Sequence, residues 1–201
     1  PWLIASGQRH IRRLCTGVSW KRHESSFYRF LSRFKFRREL FFQTLLELIV
    51  RTFQPAELLV VADDTLCPKW GKHIFGAASF FDHVRRPRPG FIWGHNWVVL
   101  AVVVRLFGIP VALPFWIELY RTQSACPKEV FRTRLEMVAE ALSQVRSWTA
   151  LPINLVADGA YNNKSMLQPL AALKIPLVSR LRFDARLRRD PLTRRRKTRG
   201  R

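Results

Sequence analysis

Residues 58–65 of this chain read Leu-Leu-Val-Val-Ala-Asp-Asp-Thr, an apolar run that ends in two aspartates. An apolar, β-branched run of this length predicts a buried strand, so its carboxylates are expected where the strand leaves the core and meets solvent. Residues 153–161, Ile-Asn-Leu-Val-Ala-Asp-Gly-Ala-Tyr, repeat the pattern. Because α/β proteins concentrate their chemistry at such strand ends, the two stretches predict one functional site.

The predicted site would bring aspartates from two strands together. Carboxylates that lie close to one another repel unless a cation lies between them. Hard oxygen ligands suit Mg²⁺ or Mn²⁺, and such ions commonly serve phosphoryl transfer. The candidate metal ligands are Asp63, Asp64 and Asp158. Since neighbouring residues on a strand face opposite ways, only one of Asp63 and Asp64 is expected to face the metals.

The composition predicts a folded domain with a polyanionic partner. Of 201 residues 48% are hydrophobic, and 35 Lys and Arg against 14 Asp and Glu give a formal net charge of +21. Nucleic acid is the favoured partner, and an anionic membrane surface or a ribosomal packing role are the alternatives. The three cysteines are widely spaced and form no Cys-x-x-Cys pair, which favours neither disulfides nor zinc and fits a reducing cytosol.

One apolar stretch, residues 97–119, has about the length of a membrane span. Arg105 lies near its middle, and Gly108-Ile109-Pro110 interrupts it. Its Val-rich halves predict a buried hairpin with strands at 98–106 and 109–119 rather than a transmembrane helix.

The first 56 residues are predicted to be helical, as a basic DNA-contacting module or as an ordinary solvated helix pair. Ser25 or Ser26 could cap a first helix. Its apolar positions recur at helical spacing, at Phe27, Phe30, Leu31 and Phe34. A second helix is expected to end before Pro55, with an apolar face made of Leu40, Phe41, Leu45, Leu48 and Ile49.

Residues 57–181 predict a core domain. After a strand at 58–64 come a polar excursion at about 67–94, the hairpin, and a helix at 128–148 led by Ser124 and Pro127. A strand at 153–157, a helix at 163–173 and a strand at 175–180 follow. This β-β-β-α-β-α-β order matches a ribonuclease-H-like mixed sheet, in which the first and fourth strands are adjacent and parallel.

The predicted phosphate contacts lie in the excursion, near the end of the core domain and at the start of a basic tail, residues 182–201. The alternative interpretations, without a role in binding, are a solvated loop and a disordered tail. The predicted contacts are Lys69, Lys72, Arg85, Arg86, Arg88, Arg180 and Arg182. Trp93 and Trp97 are expected to pack rather than to stack on bases, and His95 either contacts DNA or the metal surroundings or makes a structural hydrogen bond.

Several short motifs together resemble the DDE transposases of bacterial insertion sequences, in the branch with an Asp-Asp-Thr first motif. Asp-Asp-Thr at 63–65 precedes Pro-Lys-Trp-Gly-Lys at 68–72 and Trp-Gly-His-Asn-Trp at 93–97. Val-Ala-Asp-Gly-Ala-Tyr at 156–161 and Ser-Arg-Leu-Arg-Phe-Asp-Ala at 179–185 follow. The segment around residues 25–31 also resembles the helical lead-in of that family.

The resemblance implies DNA cleavage and strand transfer in transposition, with two Mg²⁺ or Mn²⁺ ions held by an Asp, Asp, Glu triad. It implies Asp63 as the first catalytic ligand, with Asp64 as second choice, and Asp158 as the second. Transposon ends and target DNA would be the partners, in the cytoplasm at the nucleoid. The resemblance implies neither a membrane partner nor a small-molecule substrate, and it leaves open whether the chain forms a homodimer.

The third acid departs from the family pattern, because the last glutamate is Glu140 and none follows Asp158. We therefore expect a truncated copy with impaired catalysis, since Asp184 and Asp190 match no ligand position. Ribonuclease H takes a ligand from its first long helix, where Glu129, Glu136 and Glu140 are the candidates here, unless they are solvated or paired with Arg132 and Arg134. The alternative function is a non-catalytic, basic nucleic-acid-binding protein.

Overall fold

The structure is a computed structural model that describes residues 23–35, 37–82 and 90–181. Three sets of predictions lie outside the described residues: the first 22 residues of the predicted helical segment, the basic tail, and four of the DNA contacts, namely Arg85, Arg86, Arg88 and Arg182. The chain divides into two compact units, Pro1–Phe41 and Phe42–Arg201. The functional division at residues 56/57 and 181/182 remains a prediction.

The element order confirms an α/β fold with a leading helical segment. Among the described residues, helices α1 and α2 precede four strands, which come before the next α-helix. The bounds are α1 Ser25–Arg33, α2 Arg38–Phe53, β1 Leu58–Pro68, β2 Ala78–Asp82, β3 Gly90–Leu106, β4 Ile109–Tyr120, α3 Arg134–Trp148, β5 Ile153–Ala157, α4 Lys164–Ala172 and β6 Leu177–Ser179.

The strands form one six-stranded mixed sheet in which β3 is the longest member. One edge of β3 pairs antiparallel with β1, and its other edge pairs with β2 near Gly90 and with β4 further along. On its far side β1 pairs in parallel with β5, which pairs in parallel with β6. The predicted adjacent, parallel pair of Asp-bearing strands is therefore confirmed.

One face of the sheet is covered by helices and holds the core. Phe42 of α2 lies 4.8 Å from Trp116 of β4, between ring centroids, and Trp116 lies 5.8 Å from Trp148 of α3. Val60 and Leu155 of the central strands are fully buried on this covered face. Burial of this apolar surface is the main stabilising contribution to the fold.

The opposite face, here called the open face, remains partly accessible to solvent. Strand alternation places Asp63 on it, and the register places Val99 beside Asp63. Ile117, which pairs with Val99, is 47% exposed, and Val178 of β6 is 61% exposed. The sheet therefore presents apolar and acidic side chains on the same accessible surface.

The predicted hairpin is confirmed in β3 and β4, which join through a turn at Phe107 and Gly108. Both turn residues have positive φ, 51° and 82°. Among the described helices, none has the length and hydrophobicity that a membrane crossing requires.

The polar excursion is predicted wrongly, because it contains β2 and the first residues of β3. Likewise β1 does not end at residue 64 but continues to Pro68. Along β1 the side chains are buried as far as Ala62, whereas pairing with β3 continues beyond it. The hydrophobic run therefore predicted where the strand leaves the core, but not where the strand ends.

The third helix begins later than predicted, at Arg134 instead of residue 128. Lys128–Val130 is a separate 3-10 turn, and Val130 is 52% exposed. Thr133 caps the helix: its hydroxyl accepts from the Glu136 backbone N–H, and the Glu136 carboxylate accepts from the Thr133 N–H. This capping box stops the helix from extending backwards.

The first two helices differ from the prediction in detail. Glu24 precedes α1 without a capping hydrogen bond, and the Ser25 hydroxyl instead accepts from Arg29 at 3.2 Å. The buried side chains of α2 are Phe42, Leu46 and Ile49, whereas Leu40, Phe41 and Leu48 are about half exposed. Because α2 carries apolar residues around most of its circumference, periodicity could not select the buried face.

Candidate carboxylate site

Asp63 and Asp158 meet at the point where β1 and β5 stop pairing. The parallel register ends with Ala62 opposite Ala157, so the next residue on each strand is an aspartate. Asp158 retains an extended backbone, with φ −64° and ψ 162°, and both aspartates are exposed. Neighbouring positions in a parallel register share a face, which places both carboxylates on the open face.

Each of these carboxylates is oriented by the backbone that follows it. Asp63 Oδ1 accepts from the Asp64 backbone N–H at 2.8 Å, and Asp158 Oδ1 accepts from the Gly159 N–H at 2.5 Å. The Ser179 hydroxyl of β6 donates to the Asp158 carbonyl at 3.0 Å. These bonds hold both aspartates where the pairing of β1 and β5 ends.

Asp64 points to the covered face, where it is already engaged. Its Oδ2 atom accepts from Asn96 Nδ2 at 2.9 Å and from Arg134 Nη1 at 2.6 Å. Arg134 is the first residue of α3, and its guanidinium also lies 5.6 Å from the centroid of the Tyr120 ring. Asp64 is therefore the anchor of a polar network that ties α3 to the sheet.

We expect Arg134→Met to weaken this anchor only moderately, because both partners keep solvent contact: their side chains are 46% and 26% exposed. The free energy of unfolding should fall by about 1 kcal/mol. A double-mutant cycle with Asp64→Asn, measured by urea unfolding, should give a coupling energy of about 0.5–1 kcal/mol. Additive effects of the two changes would contradict a direct ion pair.

Tyr161 follows Asp158 by three residues and is 2% exposed. Its hydroxyl is buried, and no described residue is a hydrogen-bond partner. Burial raises the pKa of the Tyr161 phenol, and the charges of Asp64, Asp63 and Asp158 raise it further, while Arg134 lowers it. All three aspartates thus act electrostatically on one buried group.

The buried phenol predicts a specific dependence of stability on pH. Folding raises the pKa of Tyr161 above its unfolded value of about 10, so ionisation of the phenol leaves stability unchanged below that pH and lowers the free energy of unfolding as the pH rises above it. We expect Tyr161→Phe to be neutral or stabilising by up to about 1 kcal/mol at pH 8 and to reduce the loss of stability at pH 11. Urea unfolding at both pH values measures this, and a large loss at pH 8 would show that the hydroxyl has a partner.

The glutamates of α3 already have hydrogen-bond or ion-pair partners. Glu136 closes the capping box, and its hydrogen bonds from the Thr133 N–H and hydroxyl lower the pKa of its carboxyl group. Glu140 pairs with Arg132, which also pairs at 2.6 Å with the buried Glu118 of β4. These contacts support the interpretation that the α3 glutamates are structural.

The predicted basic contacts divide into two places. Arg180 and Asp158 line the same cleft, together with Gly159, Ala160 and Leu181. Lys69 and Lys72 are exposed on the loop that follows β1. His95 contacts the Phe75 carbonyl at 2.9 Å, as a structural histidine would.

The described residues fit part of a divalent-metal site. Asp63 and Asp158 offer hard carboxylate oxygens on neighbouring strands, which is the donor chemistry that Mg²⁺ prefers. Within the described ranges, no three His, Cys, Asp or Glu side chains converge on one point. The pair could thus hold an ion only with further ligands.

Sequence reasoning missed Asn96, Arg134 and Tyr161 as members of this region. Asn96 and Arg134 lie 32 and 70 residues from Asp64 along the chain, so no local pattern joins them. The capping box was detectable, because Thr133-Arg134-Leu135-Glu136 has the Thr-x-x-Glu spacing. Placing α3 correctly would have shown Arg134 at the beginning of the helix.

The mixed sheet, with aspartates at two adjacent parallel strands, defines a ribonuclease-H-like fold of the kind that DDE enzymes use. A family model described as DDE superfamily endonuclease matches residues 3–201, and the chain belongs to that family. A search of curated proteins finds no match to the chain.

Proposed function

We propose that this chain is a transposase of the insertion-sequence type, with an Asp-Asp-Thr first motif, which cuts and joins DNA by phosphoryl transfer. The observation that carries the proposal is the register of β1 and β5, which brings Asp63 and Asp158 side by side on the open face. Membership of the DDE superfamily endonucleases supports it, as does the net charge of +21, which favours a polyanionic substrate.

The proposed mechanism assigns separate roles to the residues of this site. Asp63 and Asp158 would hold divalent ions, Mg²⁺ or Mn²⁺, and Asp64 keeps α3 in place through Arg134. Two bound ions would supply positive charge for the attacking hydroxyl and for the leaving oxygen. Arg180, in the cleft beside Asp158, binds a phosphate of the DNA strand, and Lys69 and Lys72 bind phosphates further along.

One observation favours the second candidate, a nucleic-acid-binding protein that does not cleave. Asp64 is neutralised by Arg134, and a third acidic ligand beside Asp63 and Asp158 is not found within the described residues. A site with two carboxylates binds metal more weakly than a complete triad. Cleavage and binding must therefore be measured separately.

The experiment that tests the proposal uses a supercoiled plasmid carrying the genomic DNA that flanks this coding segment. The purified chain is incubated with it in Mg²⁺, in Mn²⁺ and in EDTA, and nicked and linear products are resolved on a gel. Metal-dependent nicking that leaves 3′ hydroxyl ends is the expected result. Binding without cleavage in either metal would favour the second candidate, and absence of both would overturn the two functions.

A further inference from the structure

Beyond the carboxylate site, aromatic side chains form an exposed surface, here called the aromatic stripe: Trp70, Phe75, Phe81 and Phe91. Their exposures are large for side chains of this kind, at 88%, 76%, 42% and 73% in that order. Aromatic side chains usually bury most of their area, and clustered exposed ones mark an interaction site.

The loop at residues 69–77, which carries Trp70 and Phe75, is held in a fixed conformation. The Trp93 indole N–H donates to the Gly71 carbonyl at 2.8 Å, and the Lys69 N–H donates to the Trp93 carbonyl at 3.0 Å. At the other end of the loop, His95 contacts the Phe75 carbonyl at 2.9 Å. Gly71 has φ 121°, a conformation that favours glycine. The exposure of Trp70 therefore belongs to an anchored loop.

The stripe lies on the same face of the sheet as Asp63. The register pairs Asp63 with Val99, and alternation along β3 places Phe91 on the same side as Val99. Phe91 pairs with Phe81 of β2, and their rings meet edge to face at 5.5 Å between centroids. Phe81 and Phe91 thus lie on the face of the sheet that carries Asp63, and the loop at residues 69–77 is bound to the same face through Trp93 and His95.

The charge around the stripe suits an anionic partner. From Pro68 to Phe81 the sequence contains Lys69 and Lys72 and no acidic residue. The Arg121 guanidinium lies 5.5 Å from the centroid of the Phe75 ring. A second copy of a chain with a net charge of +21 would be repelled from this surface.

We propose that the aromatic stripe binds unpaired nucleobases of the DNA strand that reaches the carboxylate site, by stacking them on Trp70 and Phe91. The proposal rests on the proposed function in that it takes DNA as the substrate. Aromatic side chains on an accessible sheet face, flanked by cations, are how several protein folds bind single-stranded nucleic acid. Stacking tolerates any base, because each base has a π-face.

The sheet geometry sets the distance between stacking and cleavage. Phe91, one of the two proposed stacking residues, lies eight residues along β3 from Val99, the partner of Asp63. At about 3.3 Å per residue this is about 26 Å. With a rise of about 3.4 Å per base, a base stacked on Phe91 lies about eight nucleotides from the phosphate at Asp63, and fewer if the strand is extended.

The test uses fluorescence anisotropy in EDTA to measure how tightly the chain binds a labelled single-stranded oligonucleotide of about 20 nucleotides. We expect Trp70→Ala and Phe91→Ala each to weaken binding about tenfold, while Trp70→Phe restores most of it. The salt dependence of binding should be unchanged, because neither substitution removes a charge. Binding to a fully paired duplex of the same sequence should change less than twofold.

The matched control is Phe107→Ala, since Phe107 is 95% exposed and lies in the turn at the other end of β3. It should leave single-strand binding unchanged. Lys69→Gln is the charge control, and it should weaken single strand and duplex alike and reduce the salt slope. Because Trp70 and Phe91 are mostly exposed, circular dichroism should show all variants folded.

The proposal is overturned if Trp70→Ala and Phe91→Ala bind the single strand as well as Phe107→Ala does. It is also overturned if either substitution instead changes the oligomeric mass in analytical ultracentrifugation, because a second copy would then cover the stripe. Binding is measured without metal and in the Asp158→Asn background as well. Loss of cleavage with intact stacking therefore contradicts only the proposed function.

Discussion

Asp158→Asn is expected to abolish metal-dependent strand cleavage, with a loss of about three orders of magnitude in rate. One carboxylate of the pair contributes several kcal/mol of charge stabilisation through the ions it holds, and about 1.4 kcal/mol corresponds to a factor of ten. Asp63→Asn should have a similar effect, because the register makes the two side chains neighbours. The measurement is the initial rate of plasmid nicking at saturating Mg²⁺.

Asp64→Asn is the matched comparison, one residue along the same strand. Because Asp64 points to the covered face and pairs with Arg134, we expect it to retain most of the cleavage rate and to lose some stability. If Asp64→Asn were inactive and Asp63→Asn active, the assignment of the first ligand would have to be exchanged.

A second measurement does not depend on cleavage. Removing one of two neighbouring carboxylates relieves their repulsion, so Asp158→Asn and Asp63→Asn should each melt at a higher temperature than the unchanged chain in EDTA. Mg²⁺ should raise the melting temperature of the unchanged chain but of neither variant. Equal shifts with Mg²⁺ in all three proteins would contradict a metal site at this pair.

Gly94→Ala is expected to be the most destabilising of the single-methyl additions in β3. A Cβ atom at Gly94 would lie 2.3 Å from the Cys67 carbonyl oxygen and 3.0 Å from Pro68 Cα. These are backbone atoms of the paired strand β1, so relief requires the strands to separate where Gly94 pairs with Pro68. We expect a loss of about 3 kcal/mol, or a fall of roughly 10 °C in melting temperature.

Gly90→Ala is the control, because it adds the same methyl group to the same strand at a point where, chain neighbours aside, no atom of the described residues lies within 4 Å of the new carbon. Its effect on the free energy of unfolding should stay within about 0.5 kcal/mol. Comparable losses in the two variants would show that strand propensity, and not the close approach of β1, sets the requirement for glycine at position 94.

The central features of the fold were predictable because they are local. The runs at 58–62 and 153–157 are long enough and apolar enough to identify two buried strands, and the hairpin around Gly108 follows from a turn between Val-rich segments. The strand β2 was hidden because Ala78–Asp82 is short and only partly buried. Strand pairing with β3, rather than hydrophobicity, stabilises it.

The candidate site likewise has a part that was predictable from the sequence and a part that was not. The sequence alone determined that two aspartates follow two apolar strands, because this depends only on neighbours in the chain. The tertiary structure decided that Asp63 shares a face with Asp158 while Asp64 is held by Arg134 and Asn96, since a parallel register and a contact across 70 residues depend on the packing of the whole sheet. It also decided that Trp70 is exposed, because anchoring by Trp93 and His95 brings together residues that no local pattern connects.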